Sequence, residues 1–141
     1  MKKTLFGLLL MGSTLFSSVN NIEATATFIE KTKIKIIDIR TEGEWIQMGI
    51  IPDAHLITFF DEKYGYDVDA FVAELDKIVE KDEEFAIICN TGSRTKLIAN
   101  FLGTKLDYKV VNLKGGMMKL FKEGFKPDLY AGDIVDTNSS K

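Results

Sequence analysis

Short unbroken apolar runs alternate along this chain with stretches in which apolar residues return every three or four positions. The run Lys35-Ile36-Ile37-Asp38-Ile39, ending at Arg40, is rich in β-branched residues and predicts a buried strand. Thr41 with Glu44 three residues later is a capping-box pattern that opens a short helix through Trp45 and Met48. Gly49 ends that helix, Pro52-Asp53 marks a turn, and residues 55–60 predict a second strand. Over residues 68–81 the positions Val68, Phe71, Val72, Leu75, Ile78 and Val79 keep the helical period, with acids and lysines between them. Phe85-Ala86-Ile87-Ile88-Cys89 is unbroken again, as in a strand covered on both faces. A loop over residues 90–94 then leads to a helix with Leu97, Ile98, Phe101 and Leu102 on one side and Gly103 as its predicted end. Residues 108–113 read as a third core strand, followed by Gly115-Gly116 and a last helix through Met118, Leu120 and Phe121. Near the start, Ile22, Ala26 and Ile29 fall on one helical face. Strands alternating with helices predict one α/β domain over residues 19–132, a small mostly parallel sheet flanked by helices on both faces.

Residues 1–18 break from this pattern. Lys2 and Lys3 precede an apolar stretch from Leu5 to Phe16, and the small residues Ser17 and Ser18 follow, which is the layout of a secretory signal peptide. The stretch is shorter than the roughly 20 residues of a permanent membrane helix. A competing reading is an uncleaved N-terminal anchor. Cleavage near Ser18 keeps the Ile22 face, whereas cleavage after Ala24-Thr25-Ala26 fits the exit pattern but removes it. Export predicts a periplasmic or secreted protein with no stable membrane span once the signal is removed. At the other end, residues 133–141 read as a flexible polar tail.

The 141 residues are 45% hydrophobic and 28% charged, which suits one globular domain and excludes a disordered chain. A net charge of −3 argues against a nucleic-acid partner. One cysteine forms neither an internal disulfide nor a cysteine-cluster metal site, and one histidine argues against a histidine-rich zinc site. Neither kind of metal site is therefore expected. The lone thiol is the feature that demands a chemical explanation, the more so in an oxidising compartment.

Cys89 stands at the carboxyl end of a strand, where open α/β sheets place their ligands. The backbone N–H groups of Asn90, Thr91, Gly92, Ser93 and Arg94 and the first turn of the next helix can point at the sulfur. Such amides, the helix dipole and the Arg94 charge favour a thiolate. They also form a nest for an anionic group on the sulfur. The competing reading makes Cys89 a small hydrophobe that closes a core strand. That reading requires neither a glycine that folds the backbone tightly nor an arginine one loop away.

With those residues in view, the sequence resembles the rhodanese-like family of sulfurtransferases over nearly all of its length after residue 18. Ile36-Ile37-Asp38-Ile39-Arg40-Thr41 with Glu44-Trp45 is similar to the family's first strand and helix. Gly49-Ile50-Ile51-Pro52-Asp53-Ala54 is similar to its Gly-His-Ile-Pro-Gly-Ala turn, with Ile50 and Asp53 departing from it. Cys89 to Arg94 matches the Cys-x-x-Gly-x-Arg active loop, and Asn112-Leu113-Lys114-Gly115-Gly116-Met117 resembles the closing segment. Phe121 stands where many members have tryptophan.

The resemblance implies a double displacement. A Cys89 thiolate takes sulfane sulfur from a small-molecule donor such as thiosulfate, becomes a persulfide, and passes the sulfur to a thiophilic acceptor such as cyanide, a thiol or a protein acceptor. It further implies that the loop amides stabilise the persulfide, that Arg94 attracts an anionic donor, and that neither step needs a metal or an organic cofactor. Related phosphatases and arsenate reductases have five residues between cysteine and arginine, and this chain has four, which suits a bound sulfur atom. Two other classes stay open: a carrier that binds sulfur or polysulfide with little turnover, and a non-catalytic interaction domain. Asp38 and Arg40 read as an ion pair supporting the loop. His55 reads as a surface or packing residue, and Met117-Met118 as either pocket entrance or core.

Overall fold

The computed structural model describes residues 19–132; the predicted signal peptide and the polar tail lie outside the described residues. The apolar runs become strands β2 (Lys35–Asp38), β4 (Glu84–Ile88) and β5 (Lys109–Lys114). With β1 (Val19–Glu23) and β3 (His55–Leu56) they form one sheet, in the order β1-β5-β4-β2-β3, and every pairing is parallel. Alternate residues of a strand point to opposite faces, so the three inner strands feed two cores. Ile37, Phe85, Ile87 and Val110 pack with Phe71 and Leu75 of α3 (Val68–Leu75) and with Ile98 and Leu102 of α4 (Ser93–Leu106). Ile36, Ala86, Ile88, Val111 and Leu113 pack on the other face with Met117 and Leu120 of α5 (Gly116–Lys122), backed by Phe28 and Ile29 of α1 (Ala26–Lys31). α2 (Glu42–Met48) begins with the expected capping box at Thr41 and Glu44, and Gly49 closes it at φ +76°. No helix among the described residues is long and apolar enough to cross a membrane.

Four local expectations change. Ile22 does not share a helical face with Ala26 and Ile29; it lies in β1, an exposed edge strand held to β5 along its whole length. Asn112 Nδ2 donates to Asn21 Oδ1 at 2.9 Å and Lys114 pairs with Glu23 at 2.8 Å, so the partner strand rather than intrinsic propensity sets its conformation. The strand predicted over residues 55–60 is regular only at His55–Leu56. Beyond it, Ile57 and Phe59 donate singly to the carbonyls of Asp38 and Ile39, at 3.0 and 3.2 Å. The helix predicted to Lys81 stops at Leu75, whose carbonyl accepts from both Ile78 (2.9 Å) and Val79 (3.0 Å) and so winds the chain into turns. Gly103 does not end its helix. It is buried inside α4, which runs on to Leu106 and closes on Asp107 in the left-handed region.

The carboxyl ends of β4 and β5 meet closely. Met117 and Met118, in the first turn of α5, donate their N–H groups to the carbonyls of Cys89 (3.0 Å) and Asn90 (2.9 Å). Only a glycine fits at position 116. Its φ is +59°, and a Cβ there would press into the Cys89 carbonyl oxygen and lie 2.6 Å from that of Asn90. Both obstacles are backbone, so no side chain can swing aside. Gly116→Ala is therefore expected to cost about 2 kcal/mol or more, from the strained φ together with the clash. A drop in the urea midpoint at unchanged slope is the expected readout.

Candidate active site

Cys89 follows the last residue of β4, and its side chain falls on the face packed by α3 and α4. It is completely buried, and it is the free thiol of the chain. The sulfur nevertheless faces the turn that follows it. Gly92 donates its N–H to Sγ at 3.2 Å, and the Thr95 hydroxyl lies 3.6 Å away. Gly92 can do this because its φ of +88° reverses the chain, and a Cβ there would sit 2.8 Å from the Gly115 nitrogen. α4 opens at Ser93 without any side-chain cap, which leaves its first amides and the positive end of its dipole beside the loop. Thr91 and Ser93 join hydroxyls across the loop rim at 3.1 Å. The hydrogen bonds to Sγ among the described residues are thus one amide and one hydroxyl, rather than the full ring of amides expected. The sulfur sits beneath the loop, on its core side.

Arg94 is not free. It grips Glu44 of α2 at two points, Nη1 to Oε2 at 2.8 Å and Nη2 to Oε1 at 2.6 Å. Two parallel charge-assisted bonds of this kind fix the guanidinium plane. Glu44 also accepts from the Thr41 N–H at 3.0 Å, so one carboxylate both caps α2 and anchors the start of α4. Burial raises the Glu44 pKa, but the Arg94 and Thr41 hydrogen bonds and the charges of Arg94 and Arg40 outweigh it and hold the carboxyl below its usual range. The Glu44 hydrogen bonds raise the Arg94 pKa against a lowering by burial, with the charges of Glu44, Cys89 and Asp38 adding to the rise. The sequence marks Glu44 as a helix cap and as part of the first strand–helix segment, and does not reveal it as the partner of Arg94. The carboxylate four residues beyond Arg40 was the available signal.

Asp38 and Arg40 are both fully buried and paired: Nε lies 3.0 and 3.1 Å from the two carboxylate oxygens, and Nη2 is 2.8 Å from Oδ2. Arg40 Nη2 also donates to the Gly49 carbonyl at 2.7 Å. The pair thus ties the end of β2 to the end of α2, and makes no hydrogen bond to residues 90–94 among the described residues. It reaches the loop through charge, Arg40 acting on Glu44 and Asp38 on Arg94. Breaking such a pair would strand a buried charge. His55, in β3, takes no part in the loop's hydrogen bonds.

Two clefts flank the loop. One of about 320 Å³ is lined by Ser93 and Arg94 together with Thr41, Glu44 and residues Phe60, Asp61, Glu62 and Tyr64. The other, about 380 Å³, is lined by Thr91, Gly92, Lys96, Asn21, Asn112 and Lys114. Lys114 is paired with Glu23, whereas Lys96 makes no ion pair among the described residues. The cation beside the loop that stands ready to meet an anion is therefore Lys96, a residue that sequence reasoning passed over.

The Glu44–Arg94 pair has a pH signature. A depressed carboxyl contributes stability that is fully present above its unfolded value of about 4.3 and is lost as pH falls through the lower folded value. Glu44→Gln should cost about 1 kcal/mol near neutral pH, the pair being partly exposed. Thermal melts should show that gap constant between roughly pH 6 and 8 and closing below about pH 4, as the Glu44 carboxyl takes up its proton.

Comparison with known proteins agrees with this architecture. Residues 22–123 match the rhodanese-like domain family. The Bacillus subtilis (strain 168) protein named "Putative sulfurtransferase YtwF" is 31% identical over 99 residues, covering 67% of this chain and 84% of that one. The crystal structure of a rhodanese-like domain protein from Staphylococcus aureus superposes with a TM-score of 0.56 at 25% identity, over 77% of this chain and 98% of its own. A Staphylococcus saprophyticus subsp. saprophyticus structure gives 0.54 at 27% identity, over 74% and 97%. An all-parallel sheet with a Cys-x-x-Gly-x-Arg loop at its carboxyl edge, matched along most of its length, places this chain in the rhodanese-like domain family, among the sulfurtransferases.

Proposed function

We propose that this protein, exported from the cytoplasm, moves sulfane sulfur through a persulfide on Cys89. The observation that carries the reading is the Gly92 amide held on Cys89 Sγ at 3.2 Å, in a loop with four residues between Cys89 and Arg94. The Cys89 thiolate would attack the outer sulfur of a donor such as thiosulfate. A Cys–S bond forms, the donor's S–S bond breaks, and sulfite leaves with the electron pair. An acceptor then attacks the outer sulfur of the persulfide: cyanide leaves as thiocyanate, or a thiolate leaves as a persulfide, and Cys89 is a thiolate again. No electrons are needed from outside.

Thr95 suits this cycle. Its hydroxyl lies 3.2 Å from the Gly92 carbonyl as well as 3.6 Å from Sγ. Opposite the neutral thiol its proton can go to the carbonyl, and opposite a thiolate the same proton can turn to sulfur. A persulfide places the reactive atom about 2 Å beyond Sγ, from the buried position toward the loop amides that Sγ itself does not reach. Lys96 would draw an anionic donor to the loop.

The complete burial of Sγ favours one further reading, a sulfur carrier that holds its cargo and turns over slowly. Purified protein given thiosulfate should gain the mass of one sulfur on Cys89 and form thiocyanate with cyanide. Cys89→Ser should lose both, and absence of the adduct across pH 6–9, a range chosen around the ordinary cysteine pKa, would sink the sulfurtransferase reading. Stoichiometric loading with feeble turnover would select the carrier. Lys96→Gln should raise KM for thiosulfate about threefold to tenfold with kcat little changed, the pattern of a lost binding charge.

A further inference from the structure

The cleft on the Arg94 side carries the wrong charge for an anion. Its one cation, Arg94, is neutralised at two points by Glu44, which leaves Asp61 and Glu62 without an ion pair among the described residues. Two aromatic rings, Phe60 and Tyr64, complete the wall. Tyr64 is held in the left-handed region at φ +62° and is 81% exposed, costly for a bulky side chain both in backbone strain and in apolar surface left in water. The conformation is imposed by Asp61. Its carboxylate accepts from Lys63 (2.8 Å) and Gly65 (2.7 Å), and its backbone bonds with Tyr64 and Gly65 close the turn. Behind the turn, Phe59 stacks on Tyr66 and meets Phe60 and Phe71 edge to face, with centroids 4.9 to 5.9 Å apart, so the loop is rooted in the core. The Glu62 carboxylate lies over Gly43, where a Cβ would come within 2.7 Å of Oε1.

We infer that this cleft receives the sulfur acceptor and selects a thiol carried on a positively charged group over an anionic thiol, with Glu62 and Tyr64 as the specificity-determining residues. The inference rests on the persulfide reading of Cys89. Donor and acceptor then approach the loop through different clefts, an anionic donor past Lys96 and a cationic thiol past Glu62. Carboxylates attract the cation over the distance of the cleft, and an exposed ring face binds an ammonium group. The acceptor thiol releases its proton to solvent, its thiolate attacks the outer sulfur, the Cys89 S–S bond breaks, and the pair of electrons returns to Cys89.

The test loads the full chain from thiosulfate, verifies the adduct by mass, and follows its discharge by cysteamine, 2-mercaptoethanol and 2-mercaptoethanesulfonate. Each rate is divided by that thiolate's rate with a small disulfide in solution, to remove differences in nucleophilicity. Cysteamine should exceed the sulfonate by about tenfold at low salt, with the gap narrowing at about 1 M salt. Glu62→Lys should shrink or invert the ratio, and Tyr64→Ala should lower the cysteamine rate more than the sulfonate rate. Loading followed by discharge that ignores charge, or a ratio that Glu62→Lys leaves unchanged, overturns this inference alone. Failure to load overturns it together with the persulfide reading.

Discussion

Two backbone hydrogen bonds decide the geometry of the sulfur loop. The peptide unit is planar, so fixing a carbonyl fixes the following N–H on the opposite side. When α5 takes the carbonyls of Cys89 and Asn90, it turns the N–H groups of the next residues the other way. The loop therefore gains its amide-lined side from a partner helix outside it. That helix can come so near only because residue 116 lacks a Cβ. The second glycine contact, Gly92 against Gly115, presses the same two connections together from the other end. A short segment with little side-chain packing of its own is thus made rigid by its neighbours, which a site that must stabilise a developing charge requires.

Charge organises the surroundings in alternating signs. Asp38, Arg40, Glu44 and Arg94 run from the sealed interior to the loop, each acting on the next. The arginine that the loop motif contributes is the last member of this series, and its role is to fasten α4 to α2 rather than to stand open for an incoming anion. The consequence is a division of place: the motif arginine shapes the loop, and the charges left facing solvent in the two clefts beside it are Lys96 and Glu62.

Much of this was legible in the chain itself. The apolar runs at β2, β4 and β5 are nearly uninterrupted because both faces of a central parallel strand are covered, and the capping box at Thr41 and Glu44 fixes the start of α2 from local chemistry alone. β1 was not legible. Val19-Asn20-Asn21-Ile22-Glu23 holds two asparagines and one exposed isoleucine, and becomes a strand only because β5 offers a free edge. Gly103 misled for a related reason: a helix tolerates glycine where tertiary packing buries it. In the candidate site, the cysteine, glycine and arginine stand in one readable string. Glu44 and Thr95 gain their places beside it only through folding, the first fifty residues before Arg94 and the second at the residue just past the motif.

The depth at which the sulfur lies has a further chemical consequence. A disulfide needs Cβ atoms about 3.5–4.5 Å apart, and two molecules cannot bring thiols so completely covered to that distance without lifting the loop of each. Bulky oxidants meet the same obstruction, which slows the climb from thiol toward irreversible sulfur acids. The fold thus keeps its one cysteine thiol clear of the dimeric by-products that an exposed thiol would form.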